Sequence, residues 1–183
     1  VGSSYERLQR SNKLIDTFIN RQVDGLIIET GENSGDQILS LRKQNIPFVL
    51  VDRYFPDSNT NYVAIDNHNA SYMAVQHLID GGYERIGMIS FDTSLFNIQE
   101  RKRGYITALE KNGIPFDKNL VVEIDYDNMQ TAVENAINDL LAAGNPIDAL
   151  LFAANTIAIH GLKYINTIHI KVPEQLALIS IDK

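Results

Sequence analysis

The 183-residue sequence has no cysteine and no tryptophan. Without cysteine there is no disulfide, no thiolate nucleophile and no cysteine-based zinc or iron–sulfur site. Basic residues are the scarcer charge, 16 Lys+Arg against 23 Asp+Glu for a net charge of −7. They form no Lys/Arg-rich tract, so this surface is a poor electrostatic match for phosphate backbones and direct nucleic-acid binding by these residues is not expected. Long apolar runs are also missing. No stretch approaches the ~18–20 consecutive apolar residues of a membrane span, so no membrane insertion is expected. What remains is ordinary globular material, 44% hydrophobic, enough to bury the core of one domain or two small lobes. The sequence opens on Val1 and stops at Ile181-Asp182-Lys183 just past an apolar strand, so both ends read as cut and the chain as a fragment.

Apolar residues Leu8, Leu14, Ile15, Phe18 and Ile19 recur at helical spacing between Tyr5 and Arg21, with Ser3 or Ser4 as N-cap and Glu6 in the first turn. Val23 to Ile28 then reads as a buried strand, Asp36 to Gln44 as a weaker helix, Ile46 to Val51 as a strand with Pro47 at its start, and Tyr62 to Ile65 as another strand. Beyond Asp66 the alternation is regular: helix Ala70–Asp80, strand Arg85–Ser90, helix Ile98–Lys111, strand Leu120–Ile124, helix Met129–Ala143, strand Ala149–Phe152, helix Thr156–Thr167 and strand Leu176–Ile181. Strands alternating with helices predict an α/β fold built of parallel βαβ units. The irregular connection Arg53–Asn67 is where two sheets could join, which predicts two lobes.

In open parallel sheets the ligand crevice lies off the carboxyl ends of the strands. The polar residues that follow each strand are Glu29, Asp52-Arg53, Asp66-Asn67, Phe91-Asp92, Asp125, Asn155 and Asp182. Carboxylates and amides with one aromatic suit a small polyhydroxylated ligand, whose hydroxyls need donors and acceptors and whose C–H surface needs a ring face. Each also has a plainer role. Asp66 and Asn67 precede a helix and read as its cap, and Asp125 reads as turn chemistry, so all three stay outside the expected site. Asp52 precedes a loop with no helix to cap. Arg101, beside Lys102 and Arg103 near a helix start, reads by itself as a solvated face, and Phe91 as the last core residue of its strand.

Catalytic templates are absent. There is no G-x-G-x-x-G after a strand, no P-loop, no H-E-x-x-H and no G-x-S-x-G. His68, His77, His160 and His169 form no i, i+4 pair, so no metal and no cofactor is expected, and a binding module is favoured over an enzyme.

Six strings, in order, carry a resemblance: Val23–Ile28, Ile46–Arg53, Gly82–Gly87, Arg101–Tyr105, Phe152–Asn155 and Val172–Asp182. Together they resemble the effector-binding domain of LacI/GalR-family transcription regulators. The resemblance implies a periplasmic-binding-protein-like fold of two Rossmann-like lobes, residues 1–67 and 68–183, with a sugar or other small metabolite in the cleft between them. It implies a ligand set of Asp52, Asn97, Arg101, Asn155 and Asp182, to which the strand-end reading adds Arg53 and an aromatic wall at Phe91. It further implies a cytoplasmic homodimer that reaches operator DNA through a helix-turn-helix headpiece outside this chain, and ligand-linked control of headpiece spacing. Because Asp52 and Asp182 oppose Arg53 and Arg101, a neutral ligand is expected over a phosphorylated one. Lys183, where these regulators commonly carry a second acidic residue, and Tyr83, where histidine is frequent, depart from the pattern. A periplasmic sugar-binding protein of a transporter is the alternative.

Overall fold

The computed structural model describes residues 1–4, 7–142 and 144–182, so the expectations placed on Glu6, Ala143 and Lys183 lie outside the described residues. Contacts divide the chain into two units, one of residues Val1–Ile65 with Ser94–Asn97, the other of Asp66–Thr93 with Ile98–Lys183.

The first unit contains α1 (Leu8–Asn20), β1 (Leu26–Ile28), α2 (Gly35–Lys43), β2 (Phe48–Val51) and β3 (Tyr62–Val63). Its three strands are parallel in the order β1-β2-β3, with Ile28 opposite Leu50 and Leu50 opposite Tyr62. Period-two alternation sends Ile28 and Leu50 to one face, where they meet Ile15 of α1 and Ile38 and Leu41 of α2 in a buried cluster. The opposite face, with Ile27, Val51 and Val63, is exposed. Pro47 precedes β2, where its lack of a donor costs no ladder bond, and its carbonyl accepts the Leu26 N–H. The N-terminus of α1 departs from expectation. The helix begins at Leu8 with Arg7 as N-cap and no side-chain cap, because the Arg7 N–H closes a turn onto the Ser4 carbonyl and the serines stay outside the helix.

The second unit contains α3 (Asn67–Asp80), β4 (Ile86–Phe91), α4 (Phe96–Lys111), β5 (Val121–Ile124), α5 (Met129–Ala142), β6 (Ala149–Phe152), α6 (Asn155–Thr167) and β7 (Ala177–Ser180), the first two residues of α4 counting with the first unit. The strands are all parallel in the order β5-β4-β6-β7. Such a sheet is covered on both faces, and β4 and β6 are accordingly buried throughout. Ile86, Met88, Ala149 and Leu151 pack with Val75 and Leu78 of α3 and Tyr105, Ala108 and Leu109 of α4. On the other face Phe152 meets Gly161 of α6, and Gly87 meets Leu140 of α5. Strand order reverses beside β4, which places the topological switch point between the carboxyl ends of β4 and β6.

Helix α4 is fixed by two neighbours in sequence. Gly104 is packed so closely on the His68 carbonyl of α3 that a Cβ would collide with backbone. The Tyr105 hydroxyl, in a fully buried side chain, donates to the Ile86 carbonyl of β4 at 2.7 Å. Burial, aided by the charge of Asp117, pushes the Tyr105 phenol far above its ordinary range.

Gly104→Ala is therefore expected to destabilise the fold by about 2–3 kcal/mol in denaturant titrations, because a helix must move to admit the methyl. Tyr105→Phe should cost about 1 kcal/mol at neutral pH. The native state holds the phenol neutral, so its contribution is complete below the unfolded value near ~10 and falls as pH rises toward the folded value, by about 1.4 kcal/mol per pH unit. The stability advantage of wild type over Tyr105→Phe should accordingly shrink above about pH 10.

Candidate functional site

At the switch point of the second unit lies Arg101, one turn into α4 and 3% exposed. Its Nε donates to Asn67 Oδ1 at 2.7 Å, and its Nη1 donates at 2.7 Å both to the Ala153 carbonyl, just past β6, and to Asp182 Oδ2, just past β7. A buried guanidinium must be answered by a charge and by acceptors, and here both are supplied. Lys102 and Arg103, by contrast, make side-chain pairs with Glu123 and Glu100 at the surface. The solvated-face reading thus holds for Arg103, the most exposed of the three, and fails for Arg101, which is the one turned inward. Arg101 Nη2 has no partner among the described residues, and neither has Asp182 Oδ1. The pair thus keeps a spare donor on the guanidinium and a spare acceptor on a carboxylate whose side chain is 43% exposed.

Asn67 is expected to be part of a helix cap, and the structure corrects that reading. Asp66 alone is the N-cap of α3, its Oδ1 accepting the Asn69 N–H at 2.9 Å. Asn67 is the first residue of the helix, buried, and spends its carbonyl on Arg101. A usable signal was present: two polar residues stand before the helix where one cap suffices.

Phe91 closes β4 at 4% exposure and stacks on Tyr126 with ring centroids 4.1 Å apart. The accessible ring at this strand end is Tyr126, which the sequence reading did not single out. Asn155 is the first residue of α6, half-buried, following Ala154 as N-cap. Arg101 and Asp182 are thus in direct contact, while Phe91 and Asn155 mark the ends of the two strands that flank the switch point.

In the first unit the structure gathers Asp52, Arg53 and Asn97. Asp52 follows β2 in the left-handed region, φ 64°, with its N–H bonded to the Val63 carbonyl. Its Oδ2 accepts from Asn97 Nδ2 at 3.4 Å and lies 3.9 Å from Arg53 Nε. Arg53 also faces Glu29 at 3.7 Å, and Arg53 and Thr30 cross-brace the loops after β1 and β2: Arg53 Nη1 donates to the Thr30 carbonyl and Thr30 Oγ1 donates to the Arg53 carbonyl. Among the described residues no group of three or more His, Asp or Glu side chains could hold a metal ion, and no helix is long and apolar enough to cross a membrane.

The family described as periplasmic binding proteins and sugar binding domain of LacI family matches residues 3–174. The chain is similar to the "Probable HTH-type transcriptional regulator EndR" of Paenibacillus polymyxa, 33% identical over 176 residues that cover 94% of this chain and 51% of that protein. It is similar in structure to the transcription regulator CcpA of Lactococcus lactis, with a TM-score of 0.86 and 30% identity over 98% of this chain and 65% of the other. A transcriptional regulator CelR–cellobiose complex gives a TM-score of 0.80 and 25% identity over 93% of this chain and 52% of the other. The chain spans about half the length of the curated relatives it matches.

Removing the guanidinium takes a hydrogen bond from a buried amide, from a carbonyl and from a carboxylate. Arg101→Ala is expected to lower unfolding free energy by about 3 kcal/mol, and Asn67→Ala by about 1–2 kcal/mol, in denaturant titrations. Unchanged stability in both variants would place the Arg101 side chain in solvent.

Proposed function

Because this chain belongs to the family of periplasmic binding proteins and LacI-family sugar-binding domains, we propose that it is the effector-sensing part of a LacI-type transcription regulator that binds a neutral sugar or related small metabolite. The observation that carries this reading is the unspent donor and acceptor on the Arg101–Asp182 pair, at the end of the sheet where an open α/β fold presents its ligand. A sugar hydroxyl both donates and accepts, so it answers Nη2 and Oδ1 together. Neutrality follows from charge balance. Arg101 is countered by Asp182 at 2.7 Å, and Arg53 lies within 4 Å of both Glu29 and Asp52, so neither cation has charge left for a phosphate.

We assign ligand contacts to Asp52 and Arg53 in a lobe of residues 1–67, and to Phe91, Asn97, Arg101, Asn155 and Asp182 in a lobe of residues 68–183. Tyr126 joins them as the open ring over Phe91. The regulator is read as a cytoplasmic homodimer whose helix-turn-helix headpieces, outside this chain, contact operator DNA. The effector acts by linkage: it shifts the population toward the lobe arrangement it binds better, and with it the spacing of the headpieces. The names of the relatives, regulators throughout, support this over a transporter's binding protein or an enzyme.

A thermal-shift panel of cellobiose, galactose, pentoses, polyols, nucleosides and sugar phosphates tests the reading. A ligand at ~100 times its Kd adds about 2.7 kcal/mol, a rise in Tm of about 5–10 °C for a chain of this size. A neutral compound should give that rise in wild type and little or none in Asp182→Ala. A response to sugar phosphates alone, or to nothing in the panel, would overturn the neutral-sugar assignment.

A further inference from the structure

Residues Ser94–Asn97 count with the first unit, although β4 before them and most of α4 after them belong to the second. Contacts from residues of the first unit hold this short segment. Glu32 Oε1 accepts from both the Ser94 N–H at 2.7 Å and the Ser94 hydroxyl at 2.8 Å. The Tyr54 ring, stacked on Tyr62 at 3.8 Å, receives Phe96 edge-on at 5.1 Å. Asp52 takes the long 3.4 Å bond from Asn97. The two bonds to Glu32 are short and charge-assisted, whereas the Asn97–Asp52 bond is near the limit of useful geometry.

Glu32 is also well aimed. Its loop follows β1 and turns through Asn33 at φ 60°. Ser34, 2% exposed, donates its hydroxyl back to the Gly31 carbonyl, and Thr30, also 2% exposed, is braced to Arg53. A carboxylate on a loop tied at both sides loses little freedom when it captures Ser94.

We propose that Glu32 is a positioning residue of the ligand site: by gripping Ser94 it sets the first turn of α4 and so presents Asn97 to Asp52. This rests on the sensor reading above for its functional consequence, though not for the grip itself. Both bonds end on one oxygen, so an acceptor at that point is the first requirement and the charge strengthens it. A glutamine can place its carbonyl oxygen there, and an alanine cannot.

The test compares wild type, Glu32→Gln and Glu32→Ala by amide hydrogen exchange, followed by calorimetry with cellobiose and galactose as probes. Glu32→Ala should speed exchange across Ser94–Asn97 by about tenfold or more, while Glu32→Gln stays within about threefold of wild type. Peptides from β4 and β6 should be equally protected in all three, which separates loss of the grip from general unfolding. Affinity for whichever probe binds should fall about tenfold in Glu32→Ala and be restored in Glu32→Gln. Unchanged exchange in Glu32→Ala overturns the proposal, and so does a Glu32→Gln variant as loose as Glu32→Ala. Exchange that responds as expected in a wild type that binds neither probe and no panel compound overturns the sensor reading instead, and leaves Glu32 as a purely structural clasp.

Discussion

A guanidinium taken almost wholly out of water must have its charge and its donors answered, and meeting that demand for Arg101 organises the second unit. The answers come from three elements: Asn67 on α3, the Ala153 carbonyl past β6 and Asp182 past β7. They can converge only if α4 lies very close to its neighbours. Arg101, Gly104 and Tyr105 stand at i, i+3 and i+4 and so share the inner face of the helix. Gly104 permits the approach to the His68 backbone, Tyr105 pins the helix to the Ile86 carbonyl, and Arg101 then reaches the strand ends. The string from Arg101 to Tyr105 is thus one packing device in which the residue carrying the chemistry depends on the two that bring the helix in.

The backbone makes a matching adjustment where the carboxylates emerge. Asp182 and Asp52 both adopt positive φ, 71° and 64°. Left-handed geometry costs an L-residue about 1 kcal/mol, and aspartate is among the side chains that tolerate it best. In each case the chain breaks from its strand direction within one or two residues. Asp182 is thereby brought against Arg101, and Asp52 against Arg53 and Asn97. The strain is local and is repaid by ion pairs and by hydrogen bonds such as that from the Asp52 N–H to Val63.

How much of this was legible in the sequence follows from the range of the forces involved. Strand–helix alternation is set by local periodicity, and β6 at Ala149–Phe152 falls where the pattern placed it, with most other elements shifted by one to three residues. Two of these shifts have visible causes: α3 starts at Asn67 because Asp66 caps it locally, and β3 stops at Val63, the partner of the last residue of β2. Within the site, Asp52, Arg53 and Asp182 were visible as polar residues following strands. Arg101 was visible only through the family resemblance, because the local rule sees three consecutive cations and cannot tell which one turns inward. The contacts of Asn67 with Arg101 and of Tyr126 with Phe91 escape a local rule for the same reason, the partners being distant in sequence.

For the proposed sensor, the charge balance of each arginine near the strand ends bears on selectivity. Arg101 is committed to one carboxylate and two neutral acceptors, and Arg53 lies near two carboxylates. With both charges balanced internally, long-range attraction contributes little to the choice of ligand, and discrimination falls to directed hydrogen bonds. That mode is stringent in one direction. Under that proposal a ligand hydroxyl that meets Nη2 of Arg101 and Oδ1 of Asp182 answers both groups, whereas an analogue lacking it forgoes both hydrogen bonds, a loss that apolar contact elsewhere does not recover. As proposed, the sensor distinguishes sugars by the placement of single hydroxyls more sharply than by size or charge, with Arg101 and Asp182 already oriented by the fold.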